Sequence, residues 1–128
     1  MKTFSSFLSS LVILSILFIT TTSAQPVTNN INYQAVARNA IGNVLVSQGI
    51  NIKIYIEQGT GGPVLYSERH NVSTNQFGLF TLEIGNGFLL SGNYNSINWS
   101  IGDKWIKVEM DPTGTNTTYT NMGESRFL

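Results

Sequence analysis

Between Gly49 and Gln58 the chain alternates without a break, with Ile50, Ile52, Ile54 and Ile56 on one side and Asn51, Lys53, Tyr55 and Glu57 on the other. A side-chain period of two belongs to an extended strand with one face buried, and four isoleucines suit a pleated surface better than a helix. One strand cannot bury its own apolar face, so this segment obliges the chain to supply neighbours and a second layer. The neighbours follow the same period. Ile31, Tyr33, Ala35 and Ala37 alternate with Asn32, Gln34, Val36 and Arg38; Phe80, Leu82 and Ile84 with Leu79, Thr81 and Glu83; Ile106, Val108 and Met110 with Trp105, Lys107, Glu109 and Asp111. Shorter runs at 44–46, 64–69 and 117–121 bring the total to about seven strands.

Turn chemistry separates these runs. Asn39-Ala-Ile-Gly42 and Asn75-Gln-Phe-Gly78 each carry Asn at the first position and Gly at the fourth, as in a type I turn followed by a left-handed glycine bulge. Pro63 closes the Gly-rich connection 59–63, and a longer loop is expected from Asn86 to Gly102. Short alternating strands with frequent turns predict an all-β, antiparallel β-sandwich of prealbumin or immunoglobulin-like type, with essentially no helix beyond residue 24.

The N-terminus obeys different rules. Lys2 precedes a dense apolar core from Leu11 to Ile19, and Thr22 and Ala24 are small residues ahead of Gln25. This order is that of a secretory signal peptide, a helix over residues 1–24 cleaved between Ala24 and Gln25. The core is too short for a spanning helix of roughly 20 residues, so no membrane span is expected in residues 25–128. No Cys follows it, which excludes a lipid-anchored lipoprotein. Residues 25–128 form one domain, which must hold together without disulfides. Seven Lys+Arg face seven Asp+Glu, and loss of Lys2 leaves a net charge of −1, so nucleic acid is not a partner.

Few residues offer chemistry. His70 is the single histidine and, placed at the end of the strand that starts at Val64, is expected to be solvated. Paired carboxylates could cleave glycosides across a cleft, but alternation places Glu57, Glu83, Glu109 and Asp111 on outward faces. Asp103 and Asp111 flank a strand and do not share a calcium loop. Asn71-Val-Ser73, Asn98-Trp-Ser100 and Asn116-Thr-Thr118 match the N-glycosylation pattern, which matters only in a host that glycosylates Asn. No catalytic residue, metal or cofactor is expected. The binding candidates are Tyr94, Trp99 and Trp105, aromatics that could stack on sugars from loop tips; the competing expectation is that Trp99 plugs an end of the sandwich and Trp105 covers an edge strand.

The runs Asn32-Tyr-Gln-Ala-Val-Ala-Arg-Asn39, Gly42-Asn-Val-Leu-Val46 and Thr74-Asn-Gln-Phe-Gly-Leu-Phe-Thr-Leu-Glu-Ile-Gly85 occur in a distinctive order. Ser96-Ile-Asn-Trp99, Lys107-Val-Glu-Met-Asp111 and Tyr119-Thr-Asn-Met-Gly123 follow them. Together these resemble the N-terminal β module of secreted Bacteroidetes surface or tail-fibre-like proteins, often ahead of collagen-like segments. The stretch 74–82 is more loosely similar to a corner of prealbumin-like and carboxypeptidase-regulatory sandwiches. The resemblance implies an exported, non-enzymatic structural or adhesion module on the cell surface or in a fibre. Its partners would be other surface or fibre proteins, or downstream domains of a longer chain. A small carbohydrate-binding module using the exposed aromatics, with glycans as partners, is the alternative. The apolar ending Arg126-Phe-Leu128 departs from the pattern and gives the domain the look of one truncated at its C-terminus.

Overall fold

The structure is a computed structural model that describes residues 29–127; the expected signal peptide, residues 1–24, and the expected cleavage point at Ala24–Gln25 lie outside the described residues. Seven strands follow in order: β1 (Ile31–Val36), β2 (Gly49–Gln58), β3 (Val64–Ser73), β4 (Leu79–Ile84), β5 (Phe88–Gly92), β6 (Lys104–Asp111) and β7 (Thr120–Arg126). All pairings are antiparallel. One sheet runs β5-β3-β2-β6-β7 and the other consists of β1 and β4 alone. The result is an all-β sandwich with layers of unequal width. Among the described residues the only helical element is a single 3₁₀ turn, Tyr94–Ser96.

The alternating isoleucines decide where the core lies. Ile50, Ile52, Ile54 and Ile56 are all buried, and the register sets Ile106, Val108 and Met110 of β6 opposite Ile56, Ile54 and Ile52. Phe80, Leu82 and Ile84 of β4 close on this face from the second sheet. Each fully buried side chain of this kind contributes about 1.5–3 kcal/mol relative to exposure, so the row on β2 is the principal anchor of the fold.

The two Asn-to-Gly turns form as the sequence predicts. Gly42 and Gly78 have φ of 92° and 76°, and each donates its N–H to the carbonyl of the turn's first Asn at 3.0 Å. The Asn39 and Asn75 side chains accept two further backbone N–H groups apiece. The loops then lock together. Ala37 N–H donates to the Gly78 carbonyl, Ser47 N–H to that of Asn75, and the buried Thr74 hydroxyl donates to the Leu45 carbonyl at 2.6 Å.

Three boundaries differ from the sequence reading. β1 pairs with β4, from Ile31–Ile84 to Val36–Leu79, and the hairpin across Asn39–Gly42 is short: Arg38 bridges Val44, Asn39 N–H donates to the Asn43 carbonyl and Leu45 N–H to the Ala37 carbonyl. Within the β1–β4 pair the Gln34 amide donates to the Thr81 hydroxyl at 3.3 Å, while Arg38 donates to the Gly42 carbonyl at 2.9 Å, so both residues serve pairing and turn closure. β5 occupies part of the predicted long loop. Its exposed Phe-Leu-Leu-Ser-Gly run lacks alternation, because a bulge between Ser67 and Glu68 breaks its register with β3. The last strand begins at Thr120 and not Thr117, since residues 112–119 fold back to cap Asp111.

Candidate functional site: buried carboxylates, an aromatic plug and an open flank

Period-two alternation places Glu57 and Asp111 away from the core, yet neither is solvated. Asp111 is fully buried. The loop that follows it curls over the outer face, and its carboxylate accepts from the Thr113 hydroxyl at 2.6 Å, the Thr113 N–H at 2.9 Å and the Thr117 N–H at 2.8 Å. The Thr113 hydroxyl, together with the Thr117, Thr113 and Thr118 N–H groups, outweighs desolvation and lowers the Asp111 carboxyl to about 2. Glu57 is 3% exposed beside Lys107, whose Nζ lies 3.8 Å from it and 3.6 Å from Glu109. Glu83 is exposed and Glu109 half-buried, so only these two of the four keep contact with solvent. The carboxylates do not converge on a cleft.

A third buried carboxylate was not singled out from the sequence. Glu68 on β3 points inward at 0% exposure and accepts four hydrogen bonds. Oε1 takes His70 Nε2 at 2.8 Å and the Gly85 N–H at 3.0 Å, and Oε2 takes the Tyr66 hydroxyl at 2.6 Å and the Gly87 N–H at 2.8 Å. Burial alone would raise this carboxyl, but His70, Tyr66, Gly87 and Gly85 together hold it below its ordinary value. The Tyr66 hydroxyl is pushed up, by burial first and by Glu68 second. His70 is therefore no solvated strand-end residue. β3 continues to Ser73, and the imidazole lies inside, tied to Glu68, because the pleat puts residues 66, 68 and 70 on one face. Gly87 is required where the β4–β5 turn crosses this cluster, since a Cβ there would fall 2.6 Å from His70 Nε2. The cluster clamps the link between the two sheets.

The aromatic candidates separate. Tyr94 is only 8% exposed, its ring edge-on to Tyr66 at 5.3 Å and to Trp99 at 5.8 Å, with its hydroxyl donating to the Asn29 carbonyl at 2.7 Å. Trp99 packs in turn on Phe127 at 6.0 Å. This file of rings plugs one end of the sandwich, whereas Trp105 lies on the outer face of β6, in register with Glu57. The three do not form one stacking platform.

The unequal layers leave one flank open. β1 and its following turn form one wall, β7 the other, and β6 the floor. Two clefts of about 160 and 270 Å³ run along it, the first bounded by Tyr33, Ile106 and Val108 and the second by Arg38 and Met110, with Met122 common to both. Met122 is the extra residue of a bulge in β7 and is 47% exposed. Every residue of β7 is exposed, and among the described residues no strand pairs with its outer edge or with the β1 edge facing it.

A family model described as a domain of unknown function, DUF8740, matches residues 32–122, from β1 into β7. The chain belongs to the DUF8740 family. No curated protein and no solved structure shows a significant match. The Glu68 cluster, the Asp111 cap, Tyr94, Trp99 and Trp105 all fall inside the DUF8740 match, while Phe127, the last ring of the plug, falls outside it. Among the described residues of this DUF8740 domain, no three His, Cys, Asp or Glu side chains gather as a metal site would require, and no helix is long and apolar enough to cross a membrane.

Sequence reasoning missed Glu68 because Val64–Arg69 was read as a short strand and His70 as its end. One signal could have found it. Tyr66, Glu68 and His70 share a face two residues apart, opposite isoleucines, and a polar pair there needs partners such as the Gly85-Asn-Gly87 turn supplies.

Proposed function

We propose that this chain is an exported, non-enzymatic structural or adhesion module of a cell-surface or fibre-like protein. The open flank between β1 and β7 carries the reading. A two-stranded layer over a five-stranded one leaves Met122 exposed and Tyr33 half-buried between two strand edges that no described strand pairs with. Unpaired edges beside an exposed apolar side chain offer a template on which a neighbouring module can pack. Supporting it further, the buried carboxylates are engaged in holding turns and loops, and the leader-like segment 1–24 implies export.

The test is protease shaving of intact source cells followed by peptide mapping, with the purified protein screened against glycoside and ester substrates. Release of peptides from the described domain into the medium, with no turnover in the screen, is the expected result. Recovery of the chain only from the cytoplasmic fraction, or reproducible hydrolysis, would overturn the proposal.

A further inference from the structure

A second concavity, wider than either cleft of the open flank, lies elsewhere. It lies at the opposite face of the five-stranded sheet, where β2 begins, β3 ends and the β6–β7 loop folds over. It is shallow and open to solvent, with a volume of about 510 Å³, inside the range of about 300–1,000 Å³ typical of small-molecule sites. Its polar wall is made of Gln48, Asn51, Asn71, Ser73 and Thr113, and no charged side chain lines it. Part of the unabsorbed pattern Asn71-Val-Ser73 thereby finds a place, since both ends of the triplet face this cleft.

Asn51 is the unusual member. It sits mid-sheet at 3% exposure and its amide nitrogen donates to the Asn71 side chain at 2.5 Å, but its Oδ1 has no hydrogen-bond partner among the described residues. A buried acceptor left unmatched is costly, and an ordinary β-sheet position would hold Thr or Val at no such penalty. The walls around it are fixed beforehand. The Gln48 amide is tied to the Pro112 carbonyl, and Thr113 is held by Asp111 through both its hydroxyl and its N–H. Gly114, at φ 70°, brings the loop so close that a Cβ would lie 2.7 Å from the Gly49 carbonyl. The cleft is a prearranged set of amides and hydroxyls with one orphaned acceptor.

From this geometry we infer that the cleft is a binding site for an uncharged carbohydrate. A side-chain amide offers a donor and an acceptor about one sugar diol apart, and Ser and Thr hydroxyls can serve in either sense. The lack of a charged lining residue leaves nothing to compensate a phosphate or carboxylate ligand that surrenders its water. The site uses none of Tyr94, Trp99 or Trp105, and it stands whether or not the open flank binds a neighbour.

Amide NMR of the ¹⁵N-labelled protein tests the assignment, using methyl glycosides of glucose, galactose, mannose, xylose and N-acetylglucosamine, with glucuronate as the charged control. At about 10 mM sugar, in the weak range typical of single small ligands, at least one neutral glycoside should move the Asn51, Asn71, Thr113 and Gly114 signals saturably. The Ser73→Ala variant, at an exposed position, should keep the spectrum of the fold and weaken binding by about fivefold or more, as loss of one hydrogen bond implies. Three results would overturn the proposal: no saturable shift with any neutral glycoside, shifts confined to residues around Trp99 or Trp105, or tighter binding of glucuronate than of the neutral sugars.

Discussion

Replacing Glu68 by Gln tests the clamp between the sheets with almost no change in volume. The ionised carboxylate accepts two bonds on each oxygen, and an amide retains one oxygen and sets an NH₂ group against the other two donors. Two of the four partners can adapt, since the Tyr66 hydroxyl can rotate and the His70 ring can present its other tautomer. The backbone N–H groups of Gly85 and Gly87 cannot. Whichever way the amide turns, one of them is orphaned, at about 1–3 kcal/mol, and the remaining bonds lose the assistance of a charge. The loss should total about 2–4 kcal/mol, a large part of the roughly 5–15 kcal/mol available to a domain. In a thermal melt this is a fall of about 10–25 °C at pH 7. Because the folded carboxyl titrates below its unfolded value, its contribution is present above the unfolded pKa and fades as pH falls through the folded one. Wild type and Glu68→Gln should therefore converge as pH falls through the folded carboxyl's lowered titration range. Urea unfolding read by tryptophan fluorescence across pH 2–7 measures both effects. A loss below about 1 kcal/mol, or a gap that stays constant with pH, would refute the reasoning.

Three further predictions follow from the packing. Ile54→Ala should cost about 2–5 kcal/mol and Ile54→Val about 0.5–1.5 kcal/mol in urea unfolding, since Ile54 is wholly enclosed at the centre of β2. Gly87→Ala should destabilise by about 1–3 kcal/mol in the same assay, because the added methyl meets His70 and the Glu68 carboxylate. Asp111→Asn should accelerate amide exchange at Thr113, Thr117 and Thr118 at neutral pH. Asp111 is held near 2, so in wild type its stabilising effect should be lost as pH falls from about 4 to about 2, and this acid-limb loss should be missing from the variant.

The sandwich was legible in residues 50–57 because a period of two with one apolar phase admits few other structures, and the Asn39–Gly42 and Asn75–Gly78 turns were legible because only Gly takes their final conformation cheaply. What failed was the rule that the off-core phase of a strand meets water. It held for Glu83 and failed for Glu57 and Asp111, since loop 112–119 and long neighbouring side chains cover the outer face, and such covering is not encoded in alternation. β1 was recognised as a strand, but its pairing with β4 was not legible, because pairing across more than forty residues leaves no local trace. The aromatic candidates were real packing elements. Spacing along the chain could not reveal that Tyr94 and Trp99 stack in a plug while Trp105 faces away.

Met122 offers the most direct test that the open flank is a contact surface between modules. Hydroxyl-radical footprinting should oxidise it readily in the purified protein, where it is half exposed in the bulge of β7. In the native particle on source cells, oxidation of Met122 should fall several-fold while that of Phe77, on the exposed Asn75–Gly78 turn, remains unchanged. Equal oxidation of Met122 in both states would contradict the account.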